Sequence, residues 1–251
     1  MAAPNGKCIH CLAVTDRVTA DHVFPRSWYP DDTPESVQRP TAPSCGECNN
    51  RLSRIEQELL VRLGLCVHPF AQKASGIAAK ALRSIGIRAG ELSDKEAMIR
   101  AKQKEKIMAE LMTWEQIGGK PGILPGFGVH PEAPPETQMA VRVSHASLVA
   151  LAEKIVRGME YVIRQRYVEP PYRISTFFIE ADAAQVIGRT VLSGAQTEHF
   201  GPGLRIRRRE AVDDPNVVIY EIMIWQTLIV HCVVDRSEED GMPRVAEERA
   251  Q

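Results

Sequence analysis

The chain of 251 residues carries 31 lysines and arginines against 32 aspartates and glutamates, so its formal net charge is −1. Whole-molecule electrostatics therefore gives no argument for a polyanionic partner, and any such argument must rest on local clusters. Its 44% apolar content is ordinary for a soluble globular protein, enough for one large domain or two small ones. No stretch approaches the roughly 20 apolar residues that cross a bilayer, and residues 1–7 lack a basic-then-apolar signal pattern. The expectation is a cytoplasmic protein with no membrane partner.

Four of the six cysteines form two C-x-x-C pairs, Cys8/Cys11 and Cys45/Cys48. Two knuckles of this spacing supply the four thiolates of a closed tetrahedral zinc site, and a reducing compartment favours metal over disulfides. The expected role of this Zn²⁺ is structural. His10, inside the first knuckle, competes poorly as a ligand where four cysteines already fill the set. Cys66 and Cys232 stand alone and are expected to be small buried hydrophobes.

Between the knuckles lies Ala20-Asp21-His22-Val23-Phe24-Pro25, and Asn49 follows the last cysteine directly. An Asp-His pair at a strand end and an Asn in the first turn of a helix can surround one point. Asp and Asn oxygens suit a hard divalent cation, while an imidazole left free can take a proton from water. An isolated Asp-His would be a surface turn or a cap; the two knuckles that frame this one argue for a site.

After Cys48, Leu52, Ile55, Leu59 and Leu63 recur at helical spacing, with Arg51, Arg54 and Glu58 on other faces. A second helix is expected over residues 71–85. A third opens at Ser93 with Glu96 three residues on, a capping box, and runs to about Trp114. Residues 118–135 are crowded with Gly and Pro and read as a linker. Leu148, Leu151, Ile155, Met159 and Val162 then mark a helix that ends before Pro170 and Pro171. Segments 174–179, 204–209, 216–225 and 227–234 are rich in β-branched and aromatic residues and predict a small, mostly antiparallel sheet. The charged tail from Asp235 has little to bury. The expected fold class is α+β. Its units are a zinc-bound module over 1–65, a helical region over 66–119, a linker over 120–137, an α+β region over 138–234 and a tail over 235–251.

Cys8-x-x-Cys11, Asp21-His22-Val23-Phe24-Pro25 and Cys45-Gly-Glu-Cys48-Asn49-Asn50 together resemble the HNH endonuclease superfamily, in particular its bacterial four-cysteine members with an (Asp/Glu)-His-Val-x-Pro motif. The resemblance covers roughly residues 5–65. The segment from Lys154 to Tyr161 and the strands beyond it are similar to the C-terminal half of other proteins with this motif. The resemblance implies a ββα-metal fold and hydrolysis of DNA phosphodiesters in bacterial or phage genome conflict. It further implies Asp21 and Asn49 as ligands of a catalytic Mg²⁺ or Mn²⁺, His22 as general base, and products with 5′-phosphate and 3′-hydroxyl ends. In the family pattern a middle Asn fixes the loop that bears the base. Residues 36–41 contain none, which leaves Gln38 as the candidate for that role.

Arg26, Arg51 and Arg54 flank the proposed site and are candidate phosphate contacts, weighed against plain solvated surface. Strand alternation turns Arg205, Arg207 and Arg209 to one face, where they either track a nucleic-acid backbone or protect an edge strand from aggregation. Expected partners are nucleic acid, DNA foremost, with a homodimer also allowed. A rival of another class is a non-catalytic zinc module that binds nucleic acid or a protein. A further rival is a nuclease gated by a ligand or partner at its C-terminal half.

Overall fold

The computed structural model describes residues 3–68, 70–86, 93–113, 115–116, 133–179, 181–225 and 228–236. Most of the expected linker, Trp114 itself and nearly all of the expected tail lie outside the described residues. Strand β1 (Ala3–Lys7) pairs antiparallel with β2 (Val14–His22), and the first cysteine knuckle is the turn between them. The pattern did not announce β1, because Pro4-Asn5-Gly6 has the composition of a turn. An edge strand tolerates Pro because its outer side forms no ladder. Strand β2 also pairs with β3 (Thr41–Cys45), with His22 opposite Thr41, and helix α1 (Gly46–Leu65) follows at once. Cys45 caps α1: its sulfur accepts from the Cys48 N–H at 3.5 Å.

The helix expected over 71–85 is broken. A 3₁₀ turn (Gln72–Ala74) is followed by α2 (Ile77–Ile85), and Gly76 between them takes φ 75. A Cβ at Gly76 would lie 1.8 Å from Asp31 Oδ2, so both conformation and space require glycine there. Helix α3 (Asp94–Ala109) has the expected Ser93/Glu96 capping box. It stops short of the expected end because β4 (Leu111–Thr113) turns away to pair with β5 (Met139–Val141).

Helix α4 (His145–Arg164) buries the expected stripe of Leu148, Leu151, Ile155 and Met159, while Val162 is 37% exposed. Behind it stands a five-stranded antiparallel sheet of β6 (Tyr172–Phe177), β7 (Gln196–His199), β8 (Leu204–Glu210), β9 (Val218–Ile224) and β10 (Leu228–Arg236), in the order β6-β10-β9-β8-β7. Strand β7 and helix α5 (Ala181–Thr190) were not legible: all four residues of β7 are exposed and polar, so no period-2 signal exists. The protein thus mixes five α-helices with antiparallel sheets among the described residues.

The two ends of the chain share one hydrophobic core. Val23, Phe24, Trp28, Leu59 and Leu63 pack in the same cluster as Ile155, Met159, Tyr220, Ile222 and Trp225. The Trp28 and Trp225 rings lie 5.1 Å apart, and the Trp225 indole N–H donates to the Trp28 carbonyl at 2.8 Å. At roughly 1.5–3 kcal/mol per buried large apolar side chain, this shared packing outweighs any single polar contact between the halves.

Candidate functional site

The sulfurs of Cys8, Cys11, Cys45 and Cys48 all lie within 4.8 Å of one another. Cys11 and Cys45 sulfurs are 3.8 Å apart, which matches the about 3.8 Å edge of a tetrahedron with Zn–S bonds of about 2.3 Å. The His10 N–H points at Cys8 Sγ at 3.4 Å, as the Cys48 N–H does at Cys45 Sγ. Burial disfavours the Cys8 thiolate, yet amides of Cys11, Cys45 and His10 outweigh it and bring the thiol down to about 7. Burial and neighbouring sulfurs push Cys48 up. Four sulfurs this close cannot all ionise without a cation among them, so the donor set fits a structural metal such as zinc. Among the described residues no other group of three or more His, Cys, Asp or Glu converges in this way.

This clamp ties the start of β2 to the end of β3 and the start of α1. Asp21 and His22 end β2, and Asn49 sits in the first turn of α1. The Asn49 side-chain amide donates to Thr19 Oγ1 at 3.2 Å, and Thr19 in turn donates to the Ser44 carbonyl. Thr19 shares a strand face with Asp21, since the two are a full pleat apart. Asn49 is therefore held against the strand that carries Asp21, one pleat short of it.

Asp21 does not face solvent. It is 9% exposed, its Oδ1 accepts from Lys154 Nζ at 3.0 Å, and Lys154 pairs also with Glu56. Asp21 Oδ2 lies 3.5 Å from His10 Nε2, and both atoms are shut off from solvent without a hydrogen-bond partner of good geometry. Burial raises the Asp21 carboxyl, but His10 and the Lys154 ammonium overcome it and hold the group below its ordinary range. Glu56 goes the other way: burial raises it, Lys154 only partly compensates, and nearby Asp21 adds to the rise.

His22 is half-buried. Burial first, and the Arg26 guanidinium second, lower its pKa, so the neutral imidazole is favoured. The Arg39 backbone carbonyl and Asp21 oppose this, although Nδ1 is enclosed and meets no acceptor in good geometry. Gln38, the candidate for the missing Asn, is exposed and makes no side-chain hydrogen bond among the described residues, so it does not brace the base. The loop is fixed instead by backbone: the Val23 N–H donates to the Pro40 carbonyl at 3.0 Å.

Arg26, Arg51 and Arg54 are exposed and make no ion pair among the described residues. Arg205, Arg207 and Arg209 do share one face of β8, while Leu204, Ile206 and Arg208 share the buried one. Their donors are largely engaged. Arg205 binds Glu221, Arg207 binds the Gly188 and Leu192 carbonyls, and Arg209 binds those of Val191 and Ser193. Arg207 and Arg209 thereby cap the C-terminal end of α5, where unpaired carbonyls need donors.

The residues that pattern reading missed are His10 in its role beside Asp21, Glu56 and Lys154. Their signal was present in the sequence. Glu56 falls on the apolar stripe of α1 between Leu52 and Leu59, and Lys154 stands beside Ile155 on that of α4. A charge on a buried stripe requires a partner.

No protein-family model, no curated protein and no solved structure matches the chain. What fold and site together define is a mixed helix and antiparallel-sheet protein with a four-cysteine metal-type cluster, and no described helix is long and apolar enough to cross a membrane.

Proposed function

We propose that the protein is a metal-dependent endonuclease that hydrolyses phosphodiesters of nucleic acid, DNA foremost, with His22 as general base. The observation that carries this reading is the thiolate-clamped β2–β3–α1 unit, which sets an Asp-His strand end beside a helix whose first turn presents Asn49. Asp21, through Oδ2, and Asn49, through its amide oxygen, would hold Mg²⁺ or Mn²⁺. Such an ion, when bound, offsets the charge that develops on the phosphodiester.

The chain's own groups do the rest. His22, favoured as the neutral imidazole by burial and Arg26, is in the state that can accept a proton from an attacking water. Arg26, Arg51 and Arg54 are available to phosphate oxygens. Lys154 fixes Asp21 Oδ1, and a cation at Oδ2 would take the place that the His10 imidazole holds 3.5 Å away. The test is cleavage of plasmid and linear DNA with Mg²⁺ or Mn²⁺ by the wild type and by His22→Ala. Cleavage that H22A loses, with an unchanged circular-dichroism spectrum, supports the enzyme.

The second reading, a non-catalytic zinc module for nucleic acid or a protein partner, is favoured by one observation: the Asp21 carboxylate is enclosed and already neutralised by Lys154. DNA binding without cleavage in either metal, unaltered in H22A, decides for it.

A further inference from the structure

We propose that the C-terminal sheet carries a site for a phosphate-bearing ligand, formed by two adjoining cavities that share Arg205 and Met223 as a common wall. The larger, about 370 Å³, lies between α5 and strands β8–β10; the smaller, about 150 Å³, opens beside it toward Lys73 and His199. The larger volume lies within the range that small-molecule sites occupy.

Charge is the first argument. Lys73, Arg189, Arg205 and Arg207 line the pair of cavities, and Glu221 is the one carboxylate among the lining residues. Glu221 is spoken for: Arg205 lies at 3.1 Å, and Arg207 and His231 each at 3.6 Å. Lys73 and Arg189 make no ion pair among the described residues. A chain with net charge −1 thus concentrates uncompensated cations at this place, where they would draw an anion.

The second argument is spare donor capacity. Arg205 donates through Nη2 to Glu221 at 3.1 Å while its side chain stays 31% exposed, so the guanidinium that lines both cavities keeps donors for an incoming oxygen. The third is preorganisation. Glu221 holds Arg205 and Arg207, and the Gly188 and Leu192 carbonyls hold Arg207 from above, so little side-chain freedom remains to be lost on binding. A Cβ at Gly188 would stand 3.2 Å from Arg207 Nη1, so glycine lets α5 approach the guanidinium. Met223 and Ile229 on the floor and Ala184 on the roof give the larger cavity an apolar wall, with the polar Gln185 beside Ala184 on α5. Fixed guanidiniums beside an apolar wall match a phosphate joined to a flat organic body, that is, a nucleotide, either free or within a strand.

The experiment is calorimetric titration of the full-length, zinc-loaded protein with inorganic phosphate, AMP, ATP and a 5′-phosphorylated single-stranded hexanucleotide. Saturable binding of a nucleotide probe with Kd below about 1 mM, weakened about tenfold or more in Arg189→Gln and in Arg205→Gln, is the expected result. A hexanucleotide that binds more tightly than AMP and ATP assigns the site to a strand; the reverse order assigns it to a free nucleotide. R189Q alters an exposed side chain and keeps the test valid if R205Q does not fold. Absence of saturable binding by every probe overturns the proposal. So does equal binding by R189Q and the wild type, the result expected of an oligonucleotide held only near His22.

Discussion

The Lys154 ammonium lies 3.0 Å from Asp21 Oδ1, a contact that spans 133 positions of sequence. Lys154 and Asp21 are 3% and 9% exposed, and the same ammonium meets Glu56 on α1. One lysine from α4 thus joins the end of β2 to the middle of α1, at the point where the functional reading is centred.

Lys154→Met should destabilise the protein by about 3–5 kcal/mol, because two enclosed carboxylates lose their shared counter-charge. Adding Asp21→Asn and Glu56→Gln to K154M should recover part of the loss, since neutral amides need no ammonium. Urea denaturation midpoints of the single and triple variants measure this. Equal stability of K154M and the wild type would show that the network is not formed.

Elemental analysis should find about one zinc per chain. Chelation should lower the thermal midpoint, and Cys45→Ser should do the same without chelator, because this residue both joins the cluster and caps α1. Zinc retention should weaken as the pH falls through the range of the thiols, since protons compete for the sulfurs. A wild-type midpoint indifferent to chelator would count against a resident metal.

Gly158 faces the residue that follows His22. A Cβ there would lie 2.7 and 3.2 Å from the Val23 methyls, so Gly158→Ala should cost about 1–3 kcal/mol by overpacking. Val23→Ala makes room for the added methyl, so the double variant should be more stable than the sum of the two single effects allows. Thermal or urea unfolding of the four proteins gives the coupling; strict additivity would deny the contact.

Burial pushes the Glu221 carboxyl up, but His231, Arg207 and Arg205 outweigh it and hold the group below its ordinary 4.5. A carboxylate whose folded pKa is depressed contributes stability that is fully present above 4.5 and is lost as the pH falls through the lower, folded value. Glu221→Gln should therefore cost about 1–2 kcal/mol at pH 7, discounted because both arginines are partly exposed. The gap should narrow once the pH drops below 4.5, as read from unfolding free energies across pH. A gap that stays constant from pH 7 to pH 3 would refute the assignment.

Short-range features were legible from the chain alone. The two C-x-x-C knuckles, the stripe from Leu52 to Leu63, the Ser93/Glu96 box and the alternation of Arg205, Arg207 and Arg209 are each set by neighbours a few bonds away. Backbone geometry converts such spacing directly into shape. Strand β7 and helix α5 escaped because their residues bury little, and burial is what writes a periodic signal into sequence.

What the tertiary structure alone decided is which distant groups meet. Nothing in the spacing of Asp21, Glu56 and Lys154 announces that they share one charge network, nor that Trp28 stacks near Trp225. Nor does it announce that Arg207 and Arg209 hold the end of α5. Such pairings are fixed by the packing of α4 and the sheet into the core, where leaving water is tolerable for a charge only beside its partner. The chain's local chemistry supplies the donors, and long-range packing chooses which acceptors they find.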